Sequence, residues 1–168
     1  VAYGLGLVSA LLGDGSPAQG AAGSGGRLPA ASRPLALVIA PTRELALQVQ
    51  RELTWLYEDA GAVIAACVGG MDARAERRLL ERGAHIVVGT PGRLVDHLSR
   101  GALDLDGIAV AVLDEADEML DLGFREDLET ILAGTPDARR TLLFSATLPK
   151  GIIALATRFQ RNAARIEV

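Results

Sequence analysis

Five short, nearly continuous apolar runs alternate with longer amphipathic stretches along most of this chain. The runs cover residues 35–40, 63–68, 86–88, 108–113 and 141–144. A strand that is apolar throughout must be covered on both faces, and strands that alternate with helices form a parallel sheet. The pattern therefore predicts an α/β fold in which a mostly parallel sheet lies between layers of helices.

The segments beside these runs predict the helices. Residues 44–57 are expected to form a helix with one apolar stripe, made of Leu45, Val49, Leu53 and Leu56. Residues 1–12 resemble the end of a helix, because apolar residues recur there at helical spacing, namely Leu5, Val8, Leu11 and Leu12. Residues 164–168 are expected to add one more strand to the sheet.

The length and composition indicate a single globular domain. The chain has 168 residues, of which 49% are hydrophobic and 23% charged, which is sufficient for a buried core. Residues 13–34 are rich in Gly, Ala, Ser and Pro and have no apolar periodicity, so they predict a flexible surface loop. The formal net charge of −4 excludes nucleic-acid binding through a general basic field, so any such contact must be local.

Isolated residues carry little functional signal. Cys67 is the single cysteine, and no leader or run of about 18 apolar residues occurs, which predicts a cytoplasmic protein. We interpret Cys67 as a small core residue and Trp55 as a packed or partly exposed helix residue. His85 and His97 have no partners at metal-ligand spacing. A solvated helix face explains the basic stripe Arg74, Arg78 and Arg82, which is diluted by Glu76 and Glu81.

A group of small or polar residues follows each apolar run, where the predicted strand ends. In an open parallel sheet the carboxyl ends of the strands share one edge, and ligands bind in the crevice there. We therefore expect all five groups to line one rim. They are Pro41-Thr42-Arg43-Glu44, Gly69-Gly70-Met71, Thr90-Pro91-Gly92-Arg93, Asp114-Glu115-Ala116-Asp117 and Ser145-Ala146-Thr147.

Each group taken alone also has a purely structural explanation. Thr42 and Thr90 could cap helices, with Pro91 at the first helical position. Gly69-Gly70 could simply turn the chain, and Ser145 or Thr147 could cap a helix after Pro149. The acidic group could be the negatively charged first turn that a helix dipole favours.

Two adjacent carboxylates directly after a buried strand favour a functional interpretation. Asp114-Glu115 follows Val112-Leu113. This is the Walker-B arrangement, in which the first carboxylate holds Mg²⁺, usually through water, and the second orients the water that attacks a nucleotide phosphate. The pair therefore indicates nucleotide hydrolysis.

In order and spacing, the five groups resemble the motifs of the DEAD-box RNA helicases. The resemblance extends to Leu45-Ala46 after the first group and to Val112-Leu113 before the acidic one, and it covers nearly the whole chain apart from residues 13–34. Residues 117–124 are also similar to the stretch after the acidic motif in bacterial members. The resemblance implies the N-terminal RecA-like lobe of a helicase, a three-layer α/β sandwich with a mostly parallel sheet.

The resemblance also implies a role for each group. Asp114 and Glu115 would be the catalytic pair, with Asp114 holding Mg²⁺ beside ATP and Glu115 positioning the hydrolytic water. Asp117 would hydrogen-bond with Ser145-Ala146-Thr147 and couple the nucleotide state to RNA binding. The groove for one RNA strand would be lined by Pro41, Thr42, Arg43, Glu44, Gly69, Gly70, Thr90, Pro91, Gly92 and Arg93. Helix N-termini there would offer N–H groups to phosphates, so RNA binding would be largely sequence-independent.

Two elements that the resemblance implies do not occur in the chain. A Gly-rich phosphate-binding loop ending in Gly-Lys-Thr or Gly-Lys-Ser would precede residues 1–12, and a glutamine-bearing adenine-recognition segment would come before it. Gly23-Ser24-Gly25-Gly26 has no following lysine and no preceding apolar strand, so it is no substitute. We expect that this chain alone hydrolyses no ATP. We also expect that the missing first strand, central in the family's sheet, leaves apolar edges exposed.

Unwinding would further require a second RecA-like lobe, which is not in the chain. Two other functions stay open. The chain could be a non-catalytic RNA-binding or protein-interaction module that kept the groove, which ATP-independent RNA binding would favour. An ATP-driven translocase acting on DNA is a weaker alternative, which competition between ribose and deoxyribose strands would separate.

Overall fold

The computed structural model describes residues 4, 6, 7, 11 and 27–166. Strands and helices alternate through residues 36–159, and each strand overlaps the apolar run that predicted it. The strands are β1 (Ala36–Ile39), β2 (Ile64–Cys67), β3 (Ile86–Gly89), β4 (Val110–Leu113) and β5 (Arg140–Leu143). The helices are α1 (Arg43–Leu56), α2 (Ala73–Arg82), α3 (Pro91–Ser99), α4 (Ala116–Asp121), α5 (Arg125–Ala133) and α6 (Lys150–Phe159).

The five described strands form one parallel sheet in the order β2-β3-β1-β4-β5. This confirms the predicted α/β class. The sheet has no internal gap among these strands, because β1 pairs with both β3 and β4, and β4 also pairs with β5. No gap for a missing strand lies between the described strands, whose free edges are those of β2 and β5. The expected exposure of apolar edges stays a prediction.

Buried side chains alternate along the strands and build a core on each face of the sheet. One face packs Leu37, Val87, Ala111 and Leu113 against the helices α3 to α6, through Leu94, Met119, Leu128, Ile131 and Ile152. The other face packs Val38, Val88 and Val112 against α1, through Ala46, Val49 and Leu53. Burying each large apolar side chain contributes about 1.5–3 kcal/mol. No helix in the described part of the chain is long and apolar enough to cross a membrane.

The described residues near the start of the chain belong to the α1 face. Gly4, Gly6 and Leu11 have helical backbone, and Leu7 and Leu11 are fully buried in the core beside α1. These positions agree with the helix predicted there, whereas Leu5, Val8 and Leu12 lie outside the described residues. The hydroxyl of Tyr57 donates a hydrogen bond to the carbonyl of Gly4, which ties this segment to the end of α1.

Of the predicted loop, residues 13–26 lie outside the described part. Residues 27–34 have no regular secondary structure, as the composition predicted. They are nevertheless attached to the domain by specific bonds. The Leu28 amide donates to the Ala60 carbonyl at 2.9 Å, and the Ala84 amide donates to the Ser32 carbonyl at 3.1 Å. A ring nitrogen of His85 lies 2.8 Å from the Pro29 carbonyl, so this histidine is a structural anchor.

The strand expected at residues 164–168 is wrong for residues 164–166, and residues 167–168 lie outside the described part. Residues 164–166 have no regular secondary structure. Ile166 is 84% exposed, so the burial that would stabilise a strand is missing. Trp55 is also mostly solvent-exposed, at 72%.

Gly83 is a position where a side chain should cost considerable stability. It ends α2 with φ +97°, and a Cβ placed on it would lie 2.3 Å from the Ala31 carbonyl oxygen. Backbone strain costs about 1–3 kcal/mol there, and the clash with backbone adds about 1–3 kcal/mol. We expect Gly83→Ala to lower the free energy of unfolding by about 3 kcal/mol, measured by urea denaturation.

Gly101 provides the matched control for this prediction. Its φ is +68°, also in the left-handed region, but a Cβ there would meet nothing within 4 Å. Gly101→Ala should therefore cost only the backbone term, about 1 kcal/mol. Equal losses in the two variants would show that the contact with Ala31 contributes nothing.

Candidate functional site

The carboxyl ends of the five strands lie side by side, so the groups that follow them meet at one rim. Three hydrogen bonds continue the strand pairing beyond the last paired residues. The Asp114 amide donates to the Ile39 carbonyl at 2.9 Å, the Thr90 amide to the Cys67 carbonyl at 3.1 Å, and the Ala116 amide to the Phe144 carbonyl at 2.9 Å. The structure thus brings together the five groups that the sequence placed on one edge.

The acidic group forms a sharp turn between β4 and α4. Asp114 is half-buried at the strand end, and Glu115 is exposed. Glu115 has φ +50° and ψ +51°, a left-handed conformation that is uncommon for a residue with a side chain and costs roughly 1–2 kcal/mol. Ala116 begins α4 and is fully buried. The turn therefore fixes the acidic group at the rim, with the Glu115 carboxylate open to solvent.

Neighbouring carboxylates dominate the electrostatics of this turn. A hydrogen bond with Glu118 raises the pKa of Glu115, and burial and the negative charges of Glu118, Asp114 and Asp117 raise that pKa further. The Glu115 carboxylate therefore lies among negative charges that a bound cation would offset. Mg²⁺ prefers oxygen ligands of this kind. Among the described residues of this turn, the carboxylates of Asp114 and Glu115 could hold such an ion.

Asp117 links the acidic turn to the segment after β5. Its Oδ2 atom accepts hydrogen bonds from the Thr147 amide at 3.0 Å and from the Thr147 hydroxyl at 2.8 Å. The Ser145 hydroxyl donates to the Thr147 carbonyl at 2.6 Å, while Ala146 is exposed. Burial raises the pKa of Asp117, but the hydrogen bonds from Thr147, Glu118 and Ser145 outweigh it and leave that pKa below its ordinary value. Neither Ser145 nor Thr147 caps α6, which begins after Pro149.

On the other side of the rim, the start of α1 meets the loop after β2. The Thr42 hydroxyl accepts a hydrogen bond from the Leu45 amide at 3.3 Å, so its capping role is real. Arg43 and Glu44 are exposed in the first turn, and Pro41 is buried. Gly70 turns with φ +77°, and a Cβ there would lie 2.7 Å from Nη1 of Arg43. The Arg43 guanidinium therefore lies directly over the glycine.

Helix α3 begins at the same rim with an unused hydroxyl. Thr90 stands at the N-cap of α3, with Pro91 at the first position, but its side chain makes no capping hydrogen bond. Gly92 and Gly69 are exposed, and a Cβ on Gly69 would meet nothing within 4 Å. The Thr90 hydroxyl and the first N–H groups of α3 can therefore serve an external acceptor.

Arg93 points back from α3 toward the loop after β2. Its Nη2 atom donates to the Met71 carbonyl at 3.4 Å, and its Nη1 atom lies 3.7 Å from Oε2 of Glu76. Only 15% of the Arg93 side chain is exposed. The loop after β2 and the start of α3 are therefore held together by the side chain of Arg93.

A buried polar cluster that the sequence patterns did not predict lies beneath this side of the rim. Cys67, Glu76 and His97 are all buried, and their potential ligand atoms lie within 4.8 Å of one another. The placement of Glu76 on the solvated face was wrong, and His97, interpreted as an ordinary residue with no partner at metal-ligand spacing, lies beside it. Arg74, Arg78 and Arg82 are exposed as expected. The sequence held no local signal for this contact, because Glu76 lies on α2 and its partners Arg93 and His97 lie on α3.

The cluster fits hydrogen bonding better than a metal ion. Nε2 of His97 lies 2.6 Å from Oε2 of Glu76, and Oε1 of Glu76 accepts from the Val68 amide at 2.9 Å. Burial raises the pKa of the Cys67 thiol to about 12, with the Glu76 charge adding to the shift, so the thiolate that a metal needs is disfavoured. The Arg93 guanidinium already supplies a cation.

Comparison with known proteins gives a consistent result. A family model described as DEAD/DEAH box helicase matches residues 4–155. The chain is 49% identical over 133 residues to the DEAD-box ATP-dependent RNA helicase CshA of Bacillus licheniformis, covering 79% of the chain and 27% of that protein. It is 50% identical over 133 residues to the ATP-dependent RNA helicase CshA of Listeria monocytogenes, covering 79% of the chain and 26% of that protein. The chain thus spans about a quarter of these relatives.

Comparison with a solved structure also shows similarity to a DEAD box protein. The chain superposes on a DEAD box protein from the hyperthermophile Methanococcus jannaschii with a TM-score of 0.75 and 43% sequence identity. The match covers 78% of this chain and 36% of that protein. The predicted RecA-like architecture is therefore confirmed by a relative of known structure.

Proposed function

Because the chain belongs to the DEAD/DEAH box helicase family, we propose that it is part of the ATP-handling lobe of an ATP-dependent RNA helicase. One observation carries the proposal. The acidic turn after β4 and the helix starts after β1 and β3 lie on the same rim, joined through the hydrogen bonds of adjacent strands. This arrangement supports a hydrolysis site and a phosphate-backbone site on one edge of the sheet.

On the acidic side, Asp114 would hold Mg²⁺ and Glu115 would orient the attacking water. When bound, the ion would offset the negative charge of the ATP phosphates. The chain's own contribution is geometric, because the left-handed turn at Glu115 fixes its carboxylate relative to Asp114. Phosphoryl transfer depends mostly on such positioning and on charge stabilisation, which supports this division of roles.

On the other side of the rim, the RNA backbone would meet a groove of small and basic groups. The hydroxyl of Thr90, the guanidinium of Arg43 and the helix-start N–H groups are donors suited to phosphate oxygens. The exposed Gly69-Gly70 pair allows a close backbone approach. Such contacts read no base edges, so we propose largely sequence-independent binding with a preference for ribose over deoxyribose strands.

The link between Asp117 and Thr147 would transmit the nucleotide state. Its bonds join the acidic turn to the segment after β5, so a shift of either moves the other.

We further propose that the longer protein works in the cytoplasm and unwinds short RNA duplexes. A second RecA-like lobe would complete the ATP site. The chain covers 27% of the Bacillus licheniformis relative, so these activities are tested in the longer protein.

Replacing Arg43 tests the RNA groove. Arg43 is exposed at the start of α1 and lies over Gly70. Because a charged hydrogen bond is worth about 1.5–3 kcal/mol, we expect Arg43→Ala to weaken single-stranded RNA binding at least roughly tenfold. Losing one phosphate contact should also reduce the salt dependence of binding by about one unit of slope. Fluorescence anisotropy with a labelled RNA, measured at several salt concentrations, gives both quantities.

Arg51→Ala is the matched control for Arg43→Ala. Arg51 is exposed on the same helix, about two turns away from the rim. It carries the same charge, so a general electrostatic effect would weaken RNA binding equally in both variants. Equal losses would contradict the proposed groove, and so would binding that does not distinguish RNA from DNA of the same sequence.

A further inference from the structure

Glu76 is a buried carboxylate directly beneath the RNA-facing side of the rim. It is 5% exposed, although it lies on α2 among residues that face solvent. Burying a carboxylate is costly unless it is paired and hydrogen-bonded. The burial of Glu76 therefore indicates a role in which its carboxylate binds specific partners inside the protein.

The Glu76 carboxylate connects two segments that carry proposed RNA contacts. Oε1 accepts from the Val68 amide at 2.9 Å, immediately before Gly69-Gly70. Oε2 lies 2.6 Å from Nε2 of His97 and 3.7 Å from Nη1 of Arg93, both on α3. One side chain thus fixes the loop after β2 relative to the first two turns of α3.

Arg93 is held on two sides and still has donors to offer. A guanidinium has five N–H donors. The contact to Met71 engages one of them, whereas Glu76, at 3.7 Å, is an ionic partner beyond hydrogen-bonding distance. Without the carboxylate, the Arg93 side chain would lose its ionic partner and the Val68 amide its acceptor. Gly70 would be free to move, and with it the Arg43 guanidinium, which lies over this glycine.

We propose that Glu76 is a positioning residue for RNA binding, which holds the Gly69-Gly70 loop and Arg93 in one fixed arrangement before RNA arrives. The inference rests on the proposed function, because it assigns Glu76 to the same groove. A preorganised groove avoids the cost of ordering its donors when the ligand binds. Glu76 touches no reacting atom, so its effect falls on RNA affinity and not on ATP binding.

The test compares three variants of the full-length helicase that contains this chain. Glu76→Ala removes the carboxylate. Glu76→Gln keeps an oxygen for the Val68 amide and a polar group for His97. Glu81→Ala is the matched control, because Glu81 lies on the same helix but is exposed and pairs with Arg77 at 2.7 Å. The measurements are the dissociation constant for single-stranded RNA, the KM for ATP, and the midpoint of thermal unfolding.

We expect Glu76→Ala to weaken RNA binding about tenfold while the KM for ATP changes less than about twofold. Glu76→Gln should weaken RNA binding by only about threefold, because the amide keeps an acceptor for the Val68 amide but loses the charge beside Arg93, and Glu81→Ala should leave all three measurements unchanged. Unchanged RNA affinity in a folded Glu76→Ala protein would overturn the proposal. So would an equal loss of RNA affinity and ATP affinity.

A double-variant cycle decides the matter if Glu76→Ala does not fold. Glu76→Gln retains hydrogen-bonding groups of similar size, and it is measured alone and combined with Arg93→Ala. If Glu76 acts through Arg93, the loss of RNA affinity caused by Glu76→Gln should disappear in the Arg93→Ala background. Independent losses, or no loss from Glu76→Gln in either background, would overturn the proposal. If the unmodified protein binds no RNA, the proposed function itself fails.

Discussion

Glu115→Gln is expected to reduce RNA-stimulated ATP hydrolysis at least about 100-fold in the longer helicase, while ATP binding is retained. An amide of the same shape cannot accept the proton of the attacking water, and losing one well-placed group at such a site typically costs about 10²–10³ in rate. Binding should persist because Asp114, the preceding residue at the end of β4, is unchanged. Steady-state phosphate release with and without RNA measures the rate, and a fluorescent ATP analogue measures binding.

Glu126→Gln is the control for this substitution. Glu126 is exposed in the first turn of α5, away from the acidic turn, and the substitution removes the same charge. It should leave the rate within about twofold of the unmodified protein. Undiminished hydrolysis in Glu115→Gln would exclude Glu115 as the group that orients water. A matching loss in Glu126→Gln would indicate a general effect of charge.

Thr147→Val should separate ATP hydrolysis from duplex unwinding. The substitution removes the 2.8 Å hydroxyl bond to Asp117 but keeps the 3.0 Å amide bond. A hydrogen bond to a charged group contributes about 1.5–3 kcal/mol, so we expect unwinding per ATP hydrolysed to fall at least roughly tenfold. RNA affinity and the KM for ATP should change less than about twofold. Strand separation of a short labelled duplex and phosphate release are measured in the same reaction.

Thr157→Val is the control for this effect. The Thr157 hydroxyl donates to the Ile153 carbonyl within α6. Thr157→Val therefore also replaces a hydroxyl by a methyl group, but leaves the bonds to Asp117 intact. Its unwinding per ATP should match that of the unmodified protein. If Thr147→Val unwinds as efficiently as the control, the hydroxyl bond plays no part in coupling. A proportional loss of hydrolysis and unwinding would place Thr147 in the chemical step.

The local pattern of the chain predicted the strands well and their ends less well. The run at residues 108–113 is apolar throughout, but β4 is only Val110–Leu113, because Ile108 and Ala109 lie before the strand pairing begins. Residues 164–168 alternate apolar and charged residues, as a half-buried strand would, and yet residues 164–166 form no strand. Apolar character supplies the tendency to form a strand, whereas a neighbouring strand with free backbone groups decides whether it forms.

Some features of the candidate site were also predictable from the sequence, and others were decided only by the structure. The convergence of Asp114, Thr90 and Ser145 followed from parallel strands alone, since the carboxyl ends of such strands share an edge. The sequence also allowed two roles for Thr42 and Thr90, namely capping a helix or contacting RNA. Only the structure separated them, because Thr42 caps its helix while Thr90 makes no capping bond.

The chain's sequence by itself determined the α/β class, the rim and the acidic turn, because each depends on residues close together in sequence or on the direction of the strands. Only the tertiary structure decided that Glu76 is buried with His97 and Arg93, and that Arg43 lies over Gly70. The physical reason is distance along the chain. Glu76 and His97 lie on different helices and meet only when α2 and α3 pack beside the same strands, so no periodicity or local spacing can encode their contact.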